Sequence, residues 1–236
     1  MHIALLTAGG NGTRMHQDIP KQFIHVDNQP VIIYTLQAFE HHPNIDAICV
    51  VCLDGWHDVL WAYAKQFNIT KLRHIVSGGP SGQASIYNGL MELKKHYAES
   101  DIVVIHDGNR PLVSAEIISD SLVQCKIHGG AVAAIPCTEA VFVSKDREVS
   151  NQMLNRDELI RTQTPHTYPL GKLIWAHEQA RQRGIQNSVA TCTLLCELGE
   201  PIHFSKGSER NLKITTVEDL DLFKSLLSCE KVNWLK

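Results

Sequence analysis

The sequence has no surplus of positive charge: 22 Lys and Arg stand against 25 Asp and Glu, for a net charge of -3. That balance excludes sequence-independent nucleic-acid binding, which needs a basic face, and leaves room only for a local basic pocket. No apolar run approaches the ~18 residues of a membrane span. The start, "MHIALLTAGG", has no basic region and only a short apolar one, so no secretory leader and a cytoplasmic location are expected. An even complement of cysteines is missing too. Seven cysteines, an odd number, predict reduced thiols rather than a disulfide framework. Cys49 and Cys52 form a C-x-x-C inside "AICVVCL", which reads as a buried strand; no second Cys/His pair with ligand spacing lies nearby, which argues against zinc. Repeats and low-complexity tracts are absent as well.

What is present is ordinary globular material. The 236 residues are 44% hydrophobic and 20% charged, and suit one large α/β domain over 1–236. A chain of this length buries roughly 70% of its unfolded surface and needs no metal or disulfide staple. Short β-branched runs alternate with segments of helical period. Strands are predicted at "HIALLT" (2–7), "DAICVVCL" (46–53), "RHIVSG", "DIVVIHD" (101–107) and "AVAAIP". Between them, helices are predicted at "PVIIYTLQAFEHH" (30–42), "DVLWAYAKQF" (58–67) and "QASIYNGLMELKKHYA" (83–98), and after Ser114 as N-cap. Such strand–helix units predict a doubly wound, Rossmann-like, mainly parallel sheet. Residues 137–158 read as a β-hairpin with a charged tip, outside the core. "LIRTQTPHTY" then returns, "PLGKLIWAHEQARQRG" is a helix ending near Gly184, and "NLKITTVEDLDLFKSLL" reads as a strand followed by a helix.

Three places along this frame carry chemistry. The first is "LLTAGGNGTRMHQDIPKQF", residues 5–23, a glycine-rich turn after the first strand. It is not a dinucleotide fingerprint, because Met15 stands where the third glycine belongs, and it is not a P-loop, because no glycine precedes Lys21. What survives is an amide-rich turn able to wrap phosphate, with Arg14 as a planar fork and Lys21 as a point charge. A tight turn with two solvated basic residues is the plainer reading. The second is "HDGNRP", which puts His106, Asp107 and Arg110 just beyond a strand, where open α/β sheets bind ligands. A carboxylate there suits magnesium held jointly by substrate phosphates; a helix cap or an ion pair is the alternative. The third is Lys213, flanked by Leu212 and Ile214 and so projecting away from them, just ahead of a helix that Thr215 or Thr216 caps. From spacing alone it is equally a surface lysine.

With these sites in order, the chain resembles the cytidylyltransferases that make CDP-alditols, which comprise methylerythritol phosphate cytidylyltransferases of isoprenoid synthesis and ribitol-5-phosphate cytidylyltransferases of teichoic-acid and capsule synthesis. The matching motifs are "AGGNGTRM", "PKQF", "HDGNRP", "RTQTPHTY" and "NLKITTVEDL", in family order over residues 8–222. The resemblance implies that Ala8, Gly9, Gly10, Asn11, Gly12 and Thr13 wrap the phosphates of CTP, and that Arg14, Lys21 and Lys213 stabilise charge on the α-phosphate. It implies that Gly79 and Ser85 read cytosine and that Asp107 contacts the nucleotide and holds Mg²⁺. Arg110, Arg156 and Lys213 would grip the acceptor phosphate, Arg156 from a partner subunit. The 137–158 hairpin would be a dimerisation arm, making a homodimer.

The chain departs from the methylerythritol pattern mostly on the acceptor side. Glu139–Ala140 replaces an acid–threonine pair, Val189–Ala190–Thr191 replaces a "TDD"-like run, "HDGNRP" replaces "HDAARP", and Gly82 stands where arginine is usual. Conversely, "CLDGWHDVL" around Trp56 looks like the ribitol-phosphate branch. Ribitol 5-phosphate is therefore the expected acceptor and methylerythritol phosphate the alternative. A sugar-1-phosphate uridylyl- or guanylyltransferase, and an inactive nucleotide-binding paralogue, are rival readings.

Overall fold

A computed structural model of the chain describes residues 1–10 and 19–231. Its elements run β1 (His2–Ala8), β2 (His25–Val26), β3 (Gln29–Pro30), α1 (Val31–Glu40), β4 (Ala47–Cys52), α2 (His57–Gln66), β5 (Leu72–Ser77) and α3 (Gly82–Lys94). They continue with β6 (Ile102–Asp107), α4 (Ala115–His128), β7 (Ala131–Pro136), β8 (Val141–Val143), β9 (Gln152–Leu154) and β10 (Ile160–Pro169). α5 (Leu170–Arg183), α6 (Thr191–Glu197), β11 (Phe204–Lys206) and α7 (Val217–Lys231) complete the described chain.

The main sheet has the order β11-β7-β10-β6-β1-β4-β5. β1 pairs in parallel with both β4 and β6, β4 with β5, and β7 with β11. Only β10 runs against its neighbours, β6 and β7. Near-continuous apolar strands make this arrangement stable, because helices cover both faces of the sheet and each strand must bury two sides. Alternation then divides the core. Ala4 and Leu6 of β1 join Ile32, Leu36, Phe39, Leu60 and Ile118 on one face. Ile3 and Leu5 join Leu90, Leu93, Leu173, Ala176 and Leu194 on the other. A smaller cluster of Val26, Val31, Ile214, Leu220 and Phe223 seats α7 beside α1.

Local signals act where the sequence puts them. The Ser114 hydroxyl accepts from the Ile117 N–H and caps α4. Gly184, at φ 69°, ends α5 in the left-handed conformation that favours glycine. Thr216 and Asp219 cap α7 reciprocally: Asp219 N donates to the Thr216 hydroxyl at 3.4 Å and Thr216 N donates to the Asp219 carboxylate at 2.8 Å. Cys49 and Cys52 are buried on opposite faces of β4, in separate clusters, with burial pushing their thiols up to about 12 and about 11. They share no ligand geometry.

One expected strand is absent. Residues 211–215 form an irregular crossing rather than a sheet strand, and the backbone groups of Asn211 and Ile214 bond to the loop after β6. Arg110 donates to the Asn211 carbonyl at 2.7 Å, and Ile214 N donates to the Asn109 carbonyl at 2.9 Å. The strand that feeds this region is instead β11, which joins the sheet edge beside β7. α6 was not anticipated either: its seven residues are too few for a helical period to stand out. The 137–158 segment does contain the expected hairpin, with Val141–Val143 paired antiparallel to Gln152–Leu154.

Candidate active site

Four parallel strands bring their C-terminal ends to one rim, with Thr7 opposite Asp107, Ala8 opposite Cys52 and Cys52 opposite Ser77. From β1 the sheet continues to β4 and β5 on one side and to β6 on the other. At such a reversal the connecting segments leave in opposite directions and open a crevice. The crevice here has a volume of about 890 Å³.

Most of the sequence-predicted residues meet in it. Ala8, Gly9, Gly10 and Lys21 line one wall, Gly79 and Ser85 a second, and Asp107, Arg110 and Lys213 a third. Asn11, Gly12, Thr13 and Arg14 lie outside the described residues. Arg156 is not brought to this crevice: it sits exposed on a short turn of the hairpin and donates to the Thr138 carbonyl at 3.3 Å.

The third wall is a charge cluster. Asp107 accepts from Arg110 Nε at 2.9 Å through one carboxylate oxygen and from Lys213 Nζ at 3.1 Å through the other. Burial alone would raise its pKa, but the Lys213 and Arg110 charges outweigh burial and hold the carboxyl well below the usual range. Asp107 is therefore ionised at neutral pH. An ionised carboxylate at the rim, completed by phosphate oxygens, is a donor set that fits a hard divalent cation such as magnesium. Asp54 is the other carboxylate among the described lining residues, and with Lys21, Arg110 and Lys213 present the cations outnumber the acids three to two. Such a surface attracts a polyanion.

Close backbone approach shapes the second wall. Gly79 N donates to the Ser85 hydroxyl at 2.9 Å. A Cβ on Gly79 would lie 2.7 Å from Ala84 Cβ and 2.9 Å from its carbonyl carbon, so no side chain fits at this position. The Ser81 hydroxyl caps α3 by accepting from Ala84 N at 3.1 Å.

Several positioning contacts escaped the sequence reading, though His106 itself was singled out there. Gln22 is buried and donates to the carbonyls of Ala8 at 2.7 Å and Gly10 at 3.3 Å, tying the exit of β1 to the turn that carries Lys21. Asn109 donates through its side-chain amide to the Ile214 carbonyl and so fixes the segment that presents Lys213. Thr164 accepts from Asp107 N at 3.1 Å and pairs with His106 Nδ1 at 3.0 Å, while His106 Nε2 meets the Arg110 carbonyl at 3.2 Å. Burial takes the His106 pKa down to about 4, so this ring is a neutral brace. Gln22, Asn109 and His106 stand inside the quoted motifs, yet only the fold reveals their partners.

Comparison with known proteins decides the class. A family model described as "IspD: 2-C-methyl-D-erythritol 4-phosphate cytidylyltransferase" matches residues 2–228. The chain belongs to the IspD family of cytidylyltransferases. It is thus a nucleotidyltransferase. A ribitol-5-phosphate cytidylyltransferase of Lacticaseibacillus paracasei is 42% identical over 96% of this chain and 98% of its own. A ribitol-5-phosphate cytidylyltransferase of Vibrio parahaemolyticus is 36% identical over 98% of each chain. Among solved structures, the 2-C-methyl-D-erythritol 4-phosphate cytidylyltransferase of Francisella tularensis superposes with a TM-score of 0.79 at 27% identity, covering 95% of this chain and 98% of that one.

Within this IspD-family frame, the departures from the methylerythritol pattern sort by position. Val189, Ala190 and Thr191 line the crevice, Val189 almost fully exposed, and Gly82 opens the same wall with nothing near its missing side chain. Asn109 has the anchoring contact given above, and Gly108 packs so close that a Cβ would lie 3.0 Å from the Thr7 carbonyl oxygen. Trp56 is not a lining residue; it stacks on Phe23 with ring centroids 4.5 Å apart, behind the turn bearing Lys21. Ala140 lies on the hairpin, away from the crevice.

Proposed function

We propose that the chain transfers CMP from CTP to ribitol 5-phosphate, giving CDP-ribitol and pyrophosphate. The observation that carries this acceptor is the 42% identity, over nearly the whole of both chains, to a relative named for it. Val189–Thr191 at the crevice supports the same reading, since the uncharged Ala190 and Thr191 stand where the methylerythritol-type "TDD"-like run has its two acids.

The reaction needs no protein nucleophile. A phosphate monoester, with its second pKa near 6, already offers an oxyanion at neutral pH. That oxygen attacks the α-phosphorus of CTP in line and the bond to the pyrophosphate oxygen breaks, so the protein's work is positioning and charge stabilisation. Ala8, Gly9 and Gly10, with Asn11, Gly12 and Thr13, offer backbone N–H groups to the triphosphate. Lys21, Arg14 and Lys213 neutralise charge developing around the α-phosphate. Gly79 and Ser85 meet the cytosine, and Arg110 and Arg156 hold the acceptor phosphate, Arg156 from a partner across the hairpin arm. Asp107 would hold Mg²⁺, which when bound supplies charge neutralisation to the phosphates. Asp107 also orients Lys213 and Arg110 through its two oxygens.

The test is a parallel assay of pyrophosphate release with CTP and ribitol 5-phosphate, methylerythritol phosphate, ribulose 5-phosphate or glycerol 3-phosphate. Highest kcat/KM with ribitol 5-phosphate is expected. Preference for methylerythritol phosphate would move the chain to the activity named in the family description, and equal turnover with UTP would overturn the assignment of CTP as donor.

A further inference from the structure

At the opposite end of the β5–α3 unit from the crevice, two histidines and a glutamate converge. His74 lies on the edge strand β5, Glu92 on the last turn of α3, and His96 just beyond it, four residues after Glu92. One ligand atom from each lies within 4.8 Å of the other two. Glu92 Oε1 is the shared point, 3.1 Å from His96 Nε2 and 3.9 Å from His74 Nδ1. We propose that His74, Glu92 and His96 form a binding site for a late first-row divalent cation, zinc first, distinct from the catalytic crevice.

The donor set suits that class of ion. Two imidazoles and one carboxylate with an open position is a zinc-type set, whereas magnesium and calcium select oxygen ligands. Tetrahedral zinc, with bonds of about 2.0 to 2.2 Å, places its ligand atoms about 3.3 Å apart. The two separations from Glu92, 3.1 and 3.9 Å, bracket that value, and the two ring nitrogens lie within 4.8 Å of each other, a gap that rotation of the exposed His96 side chain can adjust. The surroundings are already arranged around these atoms. Tyr97 OH lies 3.3 Å from His74 Nε2, which leaves Nδ1 turned to Glu92. Lys95 Nζ occupies the other carboxylate oxygen, Oε2, at 2.6 Å, so Oε1 remains the one facing both rings. Groups that hold the far atom of a ligand in this way fix its tautomer and orientation for a metal. The rings of His74 and His96 stack at 4.4 Å. His96 is 44% exposed on its side chain, so an ion reaches the site from solvent.

A bound ion would tie the edge strand to the end of the helix whose other end forms the Gly79–Ser85 wall. Its signature is therefore stability rather than turnover. The experiment titrates untagged, chelator-stripped protein with zinc chloride by calorimetry, and repeats it with Co²⁺ followed by visible absorption. One ion per chain is expected, with a rise in Tm of about 5 °C at about 100 times Kd. His96→Ala and Glu92→Gln should each weaken binding at least about 100-fold, and Tyr97→Phe about 10-fold, the scale for a lost partner of a metal ligand. Circular dichroism and CMP-transfer rates of the His96→Ala and Glu92→Gln variants should match the parent. Absence of stoichiometric binding overturns the proposal, as does an affinity that either His96→Ala or Glu92→Gln leaves within threefold of the parent.

Discussion

Lys21 and Asn109 show two ways in which one side chain governs this crevice. Lys21 is a charge lining the crevice, and under the proposed mechanism its removal acts on the chemical step: Lys21→Ala is expected to lower kcat by about 10² to 10³, the scale for losing one stabilising group at a developing oxyanion. Steady-state kinetics with saturating CTP would read it; an unchanged kcat would remove Lys21 from the mechanism. Asn109 contributes no charge, yet its amide holds the Ile214 carbonyl and thereby the segment presenting Lys213. Asn109→Ala leaves that carbonyl without its partner in a buried setting, which costs about 1 to 3 kcal/mol of stability. With Lys213 less firmly placed, kcat/KM should fall about tenfold, or about 1.4 kcal/mol. Urea unfolding and kinetics on the same variant separate the two effects, and full activity with lost stability would make Asn109 a purely structural residue. Lys21 was legible as a crevice residue because the motif sets it just after the glycine-rich turn at the end of β1. Asn109 was not, because its partner lies 105 residues away.

Among the elements, the hairpin of β8 and β9 stands out. Phe142 and Met153 face each other across it, and both are exposed, as are Val143, Val149 and Ile160 nearby. A two-stranded ribbon is marginal alone and gains stability by burying such a face elsewhere. If the proposed homodimer forms through this arm, Phe142→Glu should shift the protein from dimer to monomer in sedimentation equilibrium. It should also weaken acceptor binding if Arg156 acts across the interface. A dimer of unchanged strength would place the interface elsewhere. The hairpin was readable from its charged tip and flanking apolar residues. The crossing at 211–215 was misread as a strand because alternation of side chains does not by itself distinguish a strand from an irregular crossing; what separates the two is where the backbone hydrogen bonds go.

For the molecule as a whole, three buried histidines set the response to acid. Burial lowers the pKa of His106, His166 and His177 from 6.5 to about 4. The unfolded chain therefore binds more protons than the folded one between these values, and their contribution to stability is complete above about pH 6.5 and lost as pH falls toward 4. Each adds a slope of up to about 1.4 kcal/mol per pH unit in that window. Urea melts at pH 7.0, 5.5 and 4.5 should show a steep decline. His177→Leu should make the decline shallower, since His177 Nε2 has no hydrogen-bond partner to lose. Stability that stays level across the window would mean that the folded chain takes up these protons as readily as the unfolded one, and would overturn the lowered pKa values of the three rings.

The strand–helix alternation from β1 to β7, the mainly parallel sheet and the position of Asp107 at the end of β6 were readable from the chain, because each rests on local periodicity or on a motif whose residues are close in sequence; α6 and β11 were not. The structure alone decided that Asp107 joins Arg110 and Lys213 through opposite oxygens, that Trp56 backs the Lys21 turn rather than the crevice, and that Gln22, Asn109 and His106 hold the walls in place. Those are contacts between segments that only folding brings together. A side chain's choice of partner there is set by the packing of both segments, and no local pattern in either one records it.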